Sequence, residues 1–185
     1  MSVEQPPFTL VSRDGDFEVR DYPALVVAQV RVTGGQRQAG SRGFRPLAAY
    51  IFGANQSRAK IAMTAPVALR PARETIAMTA PVTQREADGA WIVRFTMPQG
   101  YALGALPTPD NPDVTLEETP PVRLAVLRFS GWATAAAFAA KAEALAAAAH
   151  AHGLAITPPV TLAQYDPPWT LWFLRRNEVM APLAP

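Results

Sequence analysis

The heptapeptide Ile-Ala-Met-Thr-Ala-Pro-Val occurs twice in this chain, at residues 61–67 and again at residues 76–82. Isoleucine, threonine and valine favour the pleated, half-buried backbone of a β-strand. Because proline cannot donate a hydrogen bond to a neighbouring strand, Pro66 and Pro81 are expected at a strand edge, a bulge or a strand end. The residues between the two copies, 69–73, are polar and include a proline, which indicates a reversal. The repeat therefore predicts two short strands joined by a turn.

Two strands and a helix are predicted before the repeat. Residues 17–22 and 24–32 alternate apolar and polar side chains, as half-buried strands do. Residues 36–52 have apolar side chains at helical spacing, which predicts a helix with one buried face. Pro46 lies inside this segment, so we expect the helix to kink there or its regular part to start near Arg45. The apolar face consists of Phe44, Leu47, Ala48 and Ile51.

The sequence after the repeat predicts one further helix and several strands. Thr134 is a suitable N-cap and Gly153 a suitable stop for a helix over residues 134–152. A strong strand is predicted for residues 91–97, and a proline-rich connector for residues 98–112. The other strands are expected at residues 114–117, 123–129, 160–165, 171–174 and 177–180.

The order of strand, strand, helix and further strands occurs twice along the chain. This repetition indicates an internally duplicated α+β unit with pseudo-twofold symmetry. We therefore predict a twisted antiparallel or mixed β-barrel flanked by two α-helices. No long linker separates the halves, so we expect a single domain over residues 1–185, with its core at about residues 8–180.

The composition fits a globular protein and excludes several kinds of site. The chain has 185 residues, of which 49% are hydrophobic and 17% charged, and a net charge of +2. This weak basic bias gives no reason to expect a nucleic-acid partner. Without cysteine there is no disulfide and no thiolate ligand or nucleophile. The sequence shows no signal peptide and no apolar run of about 20 residues, so we expect a cytoplasmic protein without a membrane span. Its oligomeric state stays open, and a monomer is compatible with the sequence.

Sequence motifs of enzymes are absent. There is no nucleophile elbow, P-loop or zinc motif, so we do not expect an enzyme. The two histidines, His150 and His152, point about 200° apart on a helix and cannot bind one metal together. Their position in the last helical turn favours an interaction with the helix dipole. The alternative is that one of them is an axial ligand of a haem iron.

The C-terminal segment combines aromatic residues with two adjacent prolines. The prolines, at residues 167–168, stiffen a loop that presents Tyr165, Trp169 and Trp172. Aromatic side chains on a rigid loop suit the wall of an apolar ligand pocket, and they equally suit the closed end of a hydrophobic core. The arginines that follow, at residues 175–176, face opposite ways if the backbone is extended. At most one of them is therefore expected to turn inward.

Four stretches of the chain form a distinctive set. They are Phe-Glu-Val-Arg-Asp-Tyr at residues 17–22, the helix segment at 43–55, Lys-Ile-Ala-Met-Thr-Ala-Pro-Val at 60–67, and the segment from Tyr-Asp-Pro-Pro-Trp to Arg-Arg-Asn-Glu-Val at 165–179. Together they resemble a bacterial member of the SOUL haem-binding protein family. The resemblance implies the pseudo-twofold fold predicted above. It also implies reversible, non-covalent binding of haem or a related tetrapyrrole, as a carrier or buffer.

In that family the ligand lies in a shallow apolar groove between the first helix and the loop before the last strands. Two features depart from the family: there is no histidine between residues 1 and 149, and Ala49 stands where some members have a basic residue. Arg42 and Arg45 are therefore the expected partners of the haem propionates, and no strong axial ligand is expected. The resemblance implies ligand contacts from Arg42, Phe44, Arg45, Leu47, Ala48, Ile51, Tyr165, Trp169, Leu171 and Trp172.

Three other functions agree with the sequence. A duplicated barrel could hold a small apolar effector that is not a porphyrin. An enzyme that removes the metal from a tetrapyrrole would need an acid, for which Glu178 is the nearest candidate. Trp169 and Trp172 could instead anchor a protein partner.

Overall fold

The computed structural model describes residues 4–57, 73–167 and 169–184. Within these ranges the chain forms two α-helices, α1 (Gln36–Ile51) and α2 (Ala135–Ala151), and short 3-10 helices at Leu103–Ala105 and Trp172–Leu174. The strands are β1 (Thr9–Asp14), β2 (Phe17–Tyr22), β3 (Leu25–Val32), β4 (Asn55–Gln56), β5 (Val82–Ala87), β6 (Ala90–Thr96), β7 (Thr108–Pro109), β8 (Thr115–Thr119), β9 (Val122–Phe129), β10 (Thr161–Gln164) and β11 (Asn177–Pro182).

Nine of these strands form one antiparallel sheet. Its order is β1-β2-β9-β11-β10-β5-β6-β3-β8, and β4 pairs separately with β7. The predicted α+β class with two helices is confirmed. The predicted closure into a barrel is not confirmed, because the described strands form an open sheet with β1 and β8 at its edges.

The sheet consists of two halves that meet where β5 pairs with β10. Helix α1 packs on β3 and β6 in one half, and α2 packs on β9 and β11 in the other. In each half the chain runs through a strand, a helix and an antiparallel pair of strands. This order agrees with the predicted pseudo-twofold arrangement, and the internal duplication itself stays a prediction.

Helix α1 follows from the apolar spacing seen in the sequence. Leu47 and Ile51 are buried in a core cluster that also contains Val93 and Phe95. The helix runs without interruption from Gln36 to Ile51 and includes Pro46, so its regular part does not start near Arg45, and the alternative, a kink at Pro46, stays a prediction. It lies so close to the sheet that a Cβ atom on Gly43 would be 2.5 Å from Val93 Cγ2.

Helix α2 has the ends that were predicted. The Thr134 side chain accepts a hydrogen bond from Ala137 N at 3.1 Å, and Gly153 has a φ of +70° just beyond the C-terminal end. Leu145 and Ala149 are fully buried in a second core cluster. The helix begins and ends where its capping residues require. None of the helices in the described ranges is long and apolar enough to cross a membrane.

The heptapeptide repeat does not form the predicted pair of strands. In the second copy, only Val82 lies in a strand, β5, while residues 76–81 have irregular backbone with a single bridge from Thr79 to Glu4. Pro81 immediately precedes β5, as expected for a residue that cannot donate to a ladder. The first copy, residues 61–67, and most of the predicted reversal lie outside the described residues.

Two further differences lie at the ends of the chain. The strand predicted at residues 171–174 is wrong, because Trp172–Leu174 is a 3-10 helix in the connection between β10 and β11. Strand β1 was not predicted, because its side chains are exposed on both faces and show no alternation in burial. It pairs only with β2 and forms one edge of the sheet.

Candidate ligand-binding site

Residues 165–176 connect β10 to β11, and we call this connection the aromatic loop. The two strands pair directly up to both ends of the loop. Within it, Thr170 N donates to Pro167 O at 3.0 Å, and Leu174 N donates to Leu171 O at 2.9 Å. The loop therefore has its own backbone hydrogen bonds, which give it a defined shape.

The aromatic loop exposes an apolar surface. Trp169 is 82% exposed and Trp172 is 51% exposed. The connection between β9 and α2 lies beside the loop, because Gly131 N donates to Trp172 O at 3.0 Å, and it contributes Trp132. Exposed large apolar side chains gathered on neighbouring loops make this a candidate site for a ligand or a partner. We call it the tryptophan patch, and its members are Trp132, Trp169, Leu171, Trp172, Phe173 and Leu174.

The two arginines at the end of the aromatic loop point in different directions. The Arg175 guanidinium carbon lies 4.5 Å from the centroid of the Trp132 ring, and Arg175 Nε donates to Thr170 O at 2.8 Å. Arg176 instead turns toward the sheet and donates to the Glu178 carboxylate. Only one of the two arginines turns inward, as the extended backbone predicts.

The site residues predicted on α1 divide into buried and exposed side chains. Leu47 and Ile51 are buried in the core, and Ala48 is half-buried. Phe44 is 39% exposed, although its ring also contacts Phe95 with a centroid distance of 5.3 Å. The predicted residues therefore form two groups on different halves of the sheet. The first group is on α1, and the second is on the aromatic loop. The exposed cations of the first group are Arg42 and Arg45.

Tyr165 differs in position from the other aromatic residues of the loop. Its hydroxyl donates to Glu178 Oε2 at 2.6 Å, and the Arg176 guanidinium carbon lies 4.0 Å from its ring centroid. Burial, together with the nearby charge of Glu178, raises the pKa of Tyr165 well above its ordinary value. Tyr165 therefore joins the aromatic loop to a polar cluster on the sheet.

This polar cluster lies on the face of the sheet that carries neither α-helix. The side chains of Glu18, Arg20 and Glu178 are fully buried there. Arg20 bonds both carboxylates: its Nε donates to Glu18 Oε2 at 2.6 Å, and its Nη1 donates to Glu178 Oε2 at 2.9 Å. We call it the arginine–glutamate cluster; its charged members are Arg13, Glu18, Arg20, Arg128, Arg176 and Glu178.

The N-terminal residues help to cover this cluster. The Phe8 ring centroid is 4.4 Å from the Arg20 guanidinium carbon and 5.4 Å from the Tyr22 ring centroid. Gln5 Oε1 accepts a hydrogen bond from Arg176 Nη1 at 3.2 Å. Sequence reasoning missed the cluster because alternation in residues 17–22 indicated a solvent-facing polar side. Its one signal was the placement of opposite charges, Glu and Arg, two residues apart on the same face of that strand.

Both buried carboxylates are held in the ionised form. Burial alone would raise the pKa of Glu178, but hydrogen bonds from Arg20, Tyr165 and Arg176 outweigh it and hold the pKa below its ordinary value. Burial likewise opposes ionisation of Glu18, and the hydrogen bonds from Arg20 and Arg13 lower its pKa. The ionised form of Glu178 is therefore favoured at neutral pH.

The histidines lie at the opposite end of α2 from Trp132. His152 stacks on Phe17 with a centroid distance of 4.9 Å, and its Nε2 is 3.3 Å from Asp14 Oδ2. Both histidines are at the C-terminal end of α2, whereas Trp132 precedes the first turn. A helix of 17 residues is about 25 Å long. Trp132 and the two histidines are therefore at opposite ends of this helix.

Metal sites and deep cavities are not part of this arrangement. No group of three or more metal-binding side chains occurs among the described residues. A cleft of about 230 Å³ lies between Glu4 and Tyr101, away from the aromatic loop. The tryptophan patch is thus an open surface.

Comparison with known proteins places the chain in a family and confirms the fold. No match was found among curated proteins. The structure resembles the EcmrR C-terminal domain with a TM-score of 0.64, 10% identity, and coverage of 91% of this chain and 96% of that one. It resembles a hydrolase from Listeria innocua with a TM-score of 0.60, 12% identity, and coverage of 94% of both chains. At these identities the likeness concerns the fold alone. The sequence matches the family described as SOUL heme-binding protein over residues 3–182, and since this is nearly its whole length, the chain belongs to the SOUL haem-binding protein family.

Proposed function

We propose that this protein binds haem or a related tetrapyrrole reversibly and non-covalently on the aromatic loop, as a carrier or buffer. The observation that carries the proposal is the tryptophan patch, a large exposed apolar surface in a member of a haem-binding family. The position of both histidines at the other end of α2 from Trp132 supports binding without a strong axial ligand. The proposal therefore assigns recognition to the flat face of the ligand rather than to its iron.

The physical basis of binding is burial of apolar surface on a loop that is already folded. Each Å² of apolar surface removed from water contributes about 25 cal/mol. Trp169 and Trp172 are exposed without a ligand, so both gain burial when a porphyrin plane covers them. Because the loop has internal hydrogen bonds, less entropy is lost on binding than with an unstructured segment.

Helix α1 is proposed to form the second wall of the groove. Phe44 is its most suitable contact, because the ring is partly exposed. Arg42 and Arg45 are exposed beside it and form no ion pair among the described residues, so they suit anionic substituents of the ligand. Leu47 and Ile51 are buried and hold the helix on the core. Ala48 is half-buried, between the buried and the exposed faces of the helix.

Binding is favoured over catalysis by the state of the buried carboxylates. Metal removal from a tetrapyrrole needs an acid, and Glu178, the candidate acid on the sheet beside the loop, is held ionised by its arginine partners. The described hydrolase of similar fold shares 12% identity with this chain, which is too little to transfer an activity. We therefore propose a ligand carrier or buffer rather than an enzyme.

A planar apolar ligand other than a porphyrin is the second candidate. It is supported by the same observation, because the tryptophan patch offers aromatic faces and no metal-specific ligand. Such a ligand would stabilise the protein and would compete with haem for the patch. A competition experiment with haem therefore separates the two candidates.

The test is a titration of the apo-protein with hemin, followed by the Soret band and by tryptophan fluorescence. We expect saturation near one equivalent, and roughly tenfold weaker binding in Trp169→Ala, because central aromatic contacts carry most of the binding energy. Phe44→Ala tests the wall on α1 in the same way. Leu10→Ala removes an exposed apolar side chain from β1 and is the control. Non-saturating binding, or equal binding by Trp169→Ala and the wild type, would contradict the proposal.

A further inference from the structure

The two buried carboxylates of the arginine–glutamate cluster are heavily used as hydrogen-bond acceptors, and Glu178 has no acceptor capacity left. Glu178 Oε1 accepts from Arg20 Nη2 and from two nitrogens of Arg176. Glu178 Oε2 accepts from Arg20 Nη1 and from the Tyr165 hydroxyl. A carboxylate has about four lone-pair positions, so Glu178 is saturated by five hydrogen bonds.

Glu18 accepts three hydrogen bonds. Its Oε1 accepts from Nε and Nη2 of Arg13, and its Oε2 accepts from Arg20 Nε. Arg13 and Arg20 thereby use the two oxygens of this carboxylate from opposite sides.

Arg128 is the member of the cluster that these carboxylates do not bond. Its guanidinium lies 4.0 Å from Glu18 Oε1 and 4.0 Å from Glu178 Oε1, which is beyond hydrogen-bond distance. No hydrogen bond from the Arg128 side chain occurs within the part of the chain that the structure describes. The side chain is 41% exposed, so its donors face solvent.

The cluster also carries surplus positive charge. Four guanidinium groups share two buried carboxylates, which leaves two positive charges without an anionic partner inside the cluster. The nearest acid of the aromatic loop, Asp166, uses Oδ2 to accept a hydrogen bond from Arg176 N at 2.6 Å. An anion beside Arg128 would therefore be attracted by the whole cluster.

Arg128 stands beside the base of the aromatic loop. It is the direct cross-strand neighbour of Glu178, and Glu178 is contacted by Tyr165 and Arg176, the first and last residues of that loop. Trp132 of the tryptophan patch follows Arg128 by four residues. Arg128 is therefore the cluster's solvent-facing cation next to the strand end that leads into the patch.

We propose that Arg128 binds a carboxylate group of the ligand whose apolar body lies on the tryptophan patch. The ligand class is a planar amphipathic molecule with carboxylates at one edge. This inference rests on the proposed function and makes it more specific, since it places the propionates of a tetrapyrrole at the arginine–glutamate cluster rather than at Arg42 and Arg45. Arg128 is suited to this role because its guanidinium lies 4.0 Å from both carboxylates without a hydrogen bond to either and can bond both oxygens of a ligand carboxylate.

The experiment compares hemin with hemin dimethyl ester, in which the carboxylates are blocked. Both are titrated into the wild type, Arg128→Ala, Arg128→Lys and the control Arg37→Ala, which changes an exposed arginine on α1. We expect Arg128→Ala to weaken hemin binding about tenfold, because a hydrogen bond to a charged group is lost, and to leave ester binding unchanged. Arg128→Lys should retain most of the preference for hemin, and Arg37→Ala should match the wild type. Thermal unfolding of each variant checks that it is folded.

The outcomes separate this inference from the proposed function. If the wild type binds neither compound, the proposed function fails and the inference fails with it. If the wild type binds hemin, but Arg128→Ala binds hemin equally well or weakens both compounds to the same extent, only the inference is overturned. A loss of the preference for hemin in Arg42→Ala or Arg45→Ala, with none in Arg128→Ala, would move the propionates to α1 and would also overturn it.

Discussion

Glu178 shows how a single residue joins the fold to the candidate site. Its fully buried carboxylate receives hydrogen bonds from strand β2 through Arg20 and from both ends of the aromatic loop through Tyr165 and Arg176. Removing one member of a buried ion pair leaves the other charge uncompensated, which is strongly destabilising. The position of the loop on the sheet therefore depends on this carboxylate.

Glu178→Gln is expected to destabilise the protein by about 3–5 kcal/mol at pH 7. Arginine partners hold the pKa of Glu178 in the folded protein below its ordinary value of 4.5. The stability from ionisation is therefore complete above about pH 4.5 and is lost as the pH falls through the lower, folded-state pKa. Urea unfolding at pH 7 and at pH 3 measures this difference, which should shrink at the lower pH.

Glu143→Gln is the matched control for that experiment, because Glu143 is exposed on α2. It should change the free energy of unfolding little at either pH. A loss for Glu178→Gln that equals the loss for Glu143→Gln would contradict a structural role for the buried carboxylate.

Residue-level roles were only partly predictable from the sequence. The inward turn of one of two adjacent arginines follows from strand geometry and was foreseen. The burial of Glu18 and Arg20 was not, because period-2 alternation tells which residues share a face and not whether the polar face is covered. The cover includes Phe8, which lies nine residues before the first residue of β2.

At the scale of elements, the contact between α1 and the sheet is set by a glycine. Alanine in a helix interior is ordinarily about 1 kcal/mol more stable than glycine. At Gly43, however, a Cβ atom would lie 2.5 Å from Val93 Cγ2, so the helix must shift or Val93 must move. The close packing of α1 on β6 thus reverses the usual effect of this substitution.

Gly43→Ala is therefore expected to lower the free energy of unfolding by about 1–3 kcal/mol, as overpacking does. Ser41→Ala, two residues away on the exposed side of α1, is the control and should be neutral or slightly stabilising. Thermal unfolding of both variants measures the effect. A higher melting temperature for Gly43→Ala than for the wild type would show that the helix is not packed this closely.

Both helices could be predicted because their apolar spacing and end signals agree. The segments at residues 76–81 and 171–174 could not, since their residues favour strands locally but the neighbouring strands are already paired with others. Residues 171–174 lie in the connection between β10 and β11, so no strand is left for them to join. Local propensity was overridden by the pairing of the sheet.

At the scale of the whole molecule, the sheet brings together two helix-bearing halves that are distant in sequence. The sequence order of elements predicted both halves and the α+β class. The predicted closure into a barrel could not be derived reliably from that order. Closure depends on whether the edge strands pair with each other, and local periodicity does not report such pairing. The described strands leave β1 and β8 unpaired on their outer sides. The candidate site is an exposed surface at the end of the antiparallel pair β10–β11.

A ligand on the tryptophan patch should protect mainly the segments that form the patch. The tryptophan patch is built from the aromatic loop and from the connection at residues 130–134, which a hydrogen bond from Gly131 N to Trp172 O holds together. The histidines lie at the opposite end of α2. A tetrapyrrole on the patch should therefore affect the first region and leave the second unchanged.

Amide hydrogen exchange of the protein with and without one equivalent of hemin tests this central claim most directly. The account predicts slower exchange on hemin binding in residues 165–176 and 130–134, with a smaller effect around Phe44, and no change at the C-terminal end of α2. Protection confined to the C-terminal end of α2 near His150 and His152, with none in the aromatic loop, would contradict it.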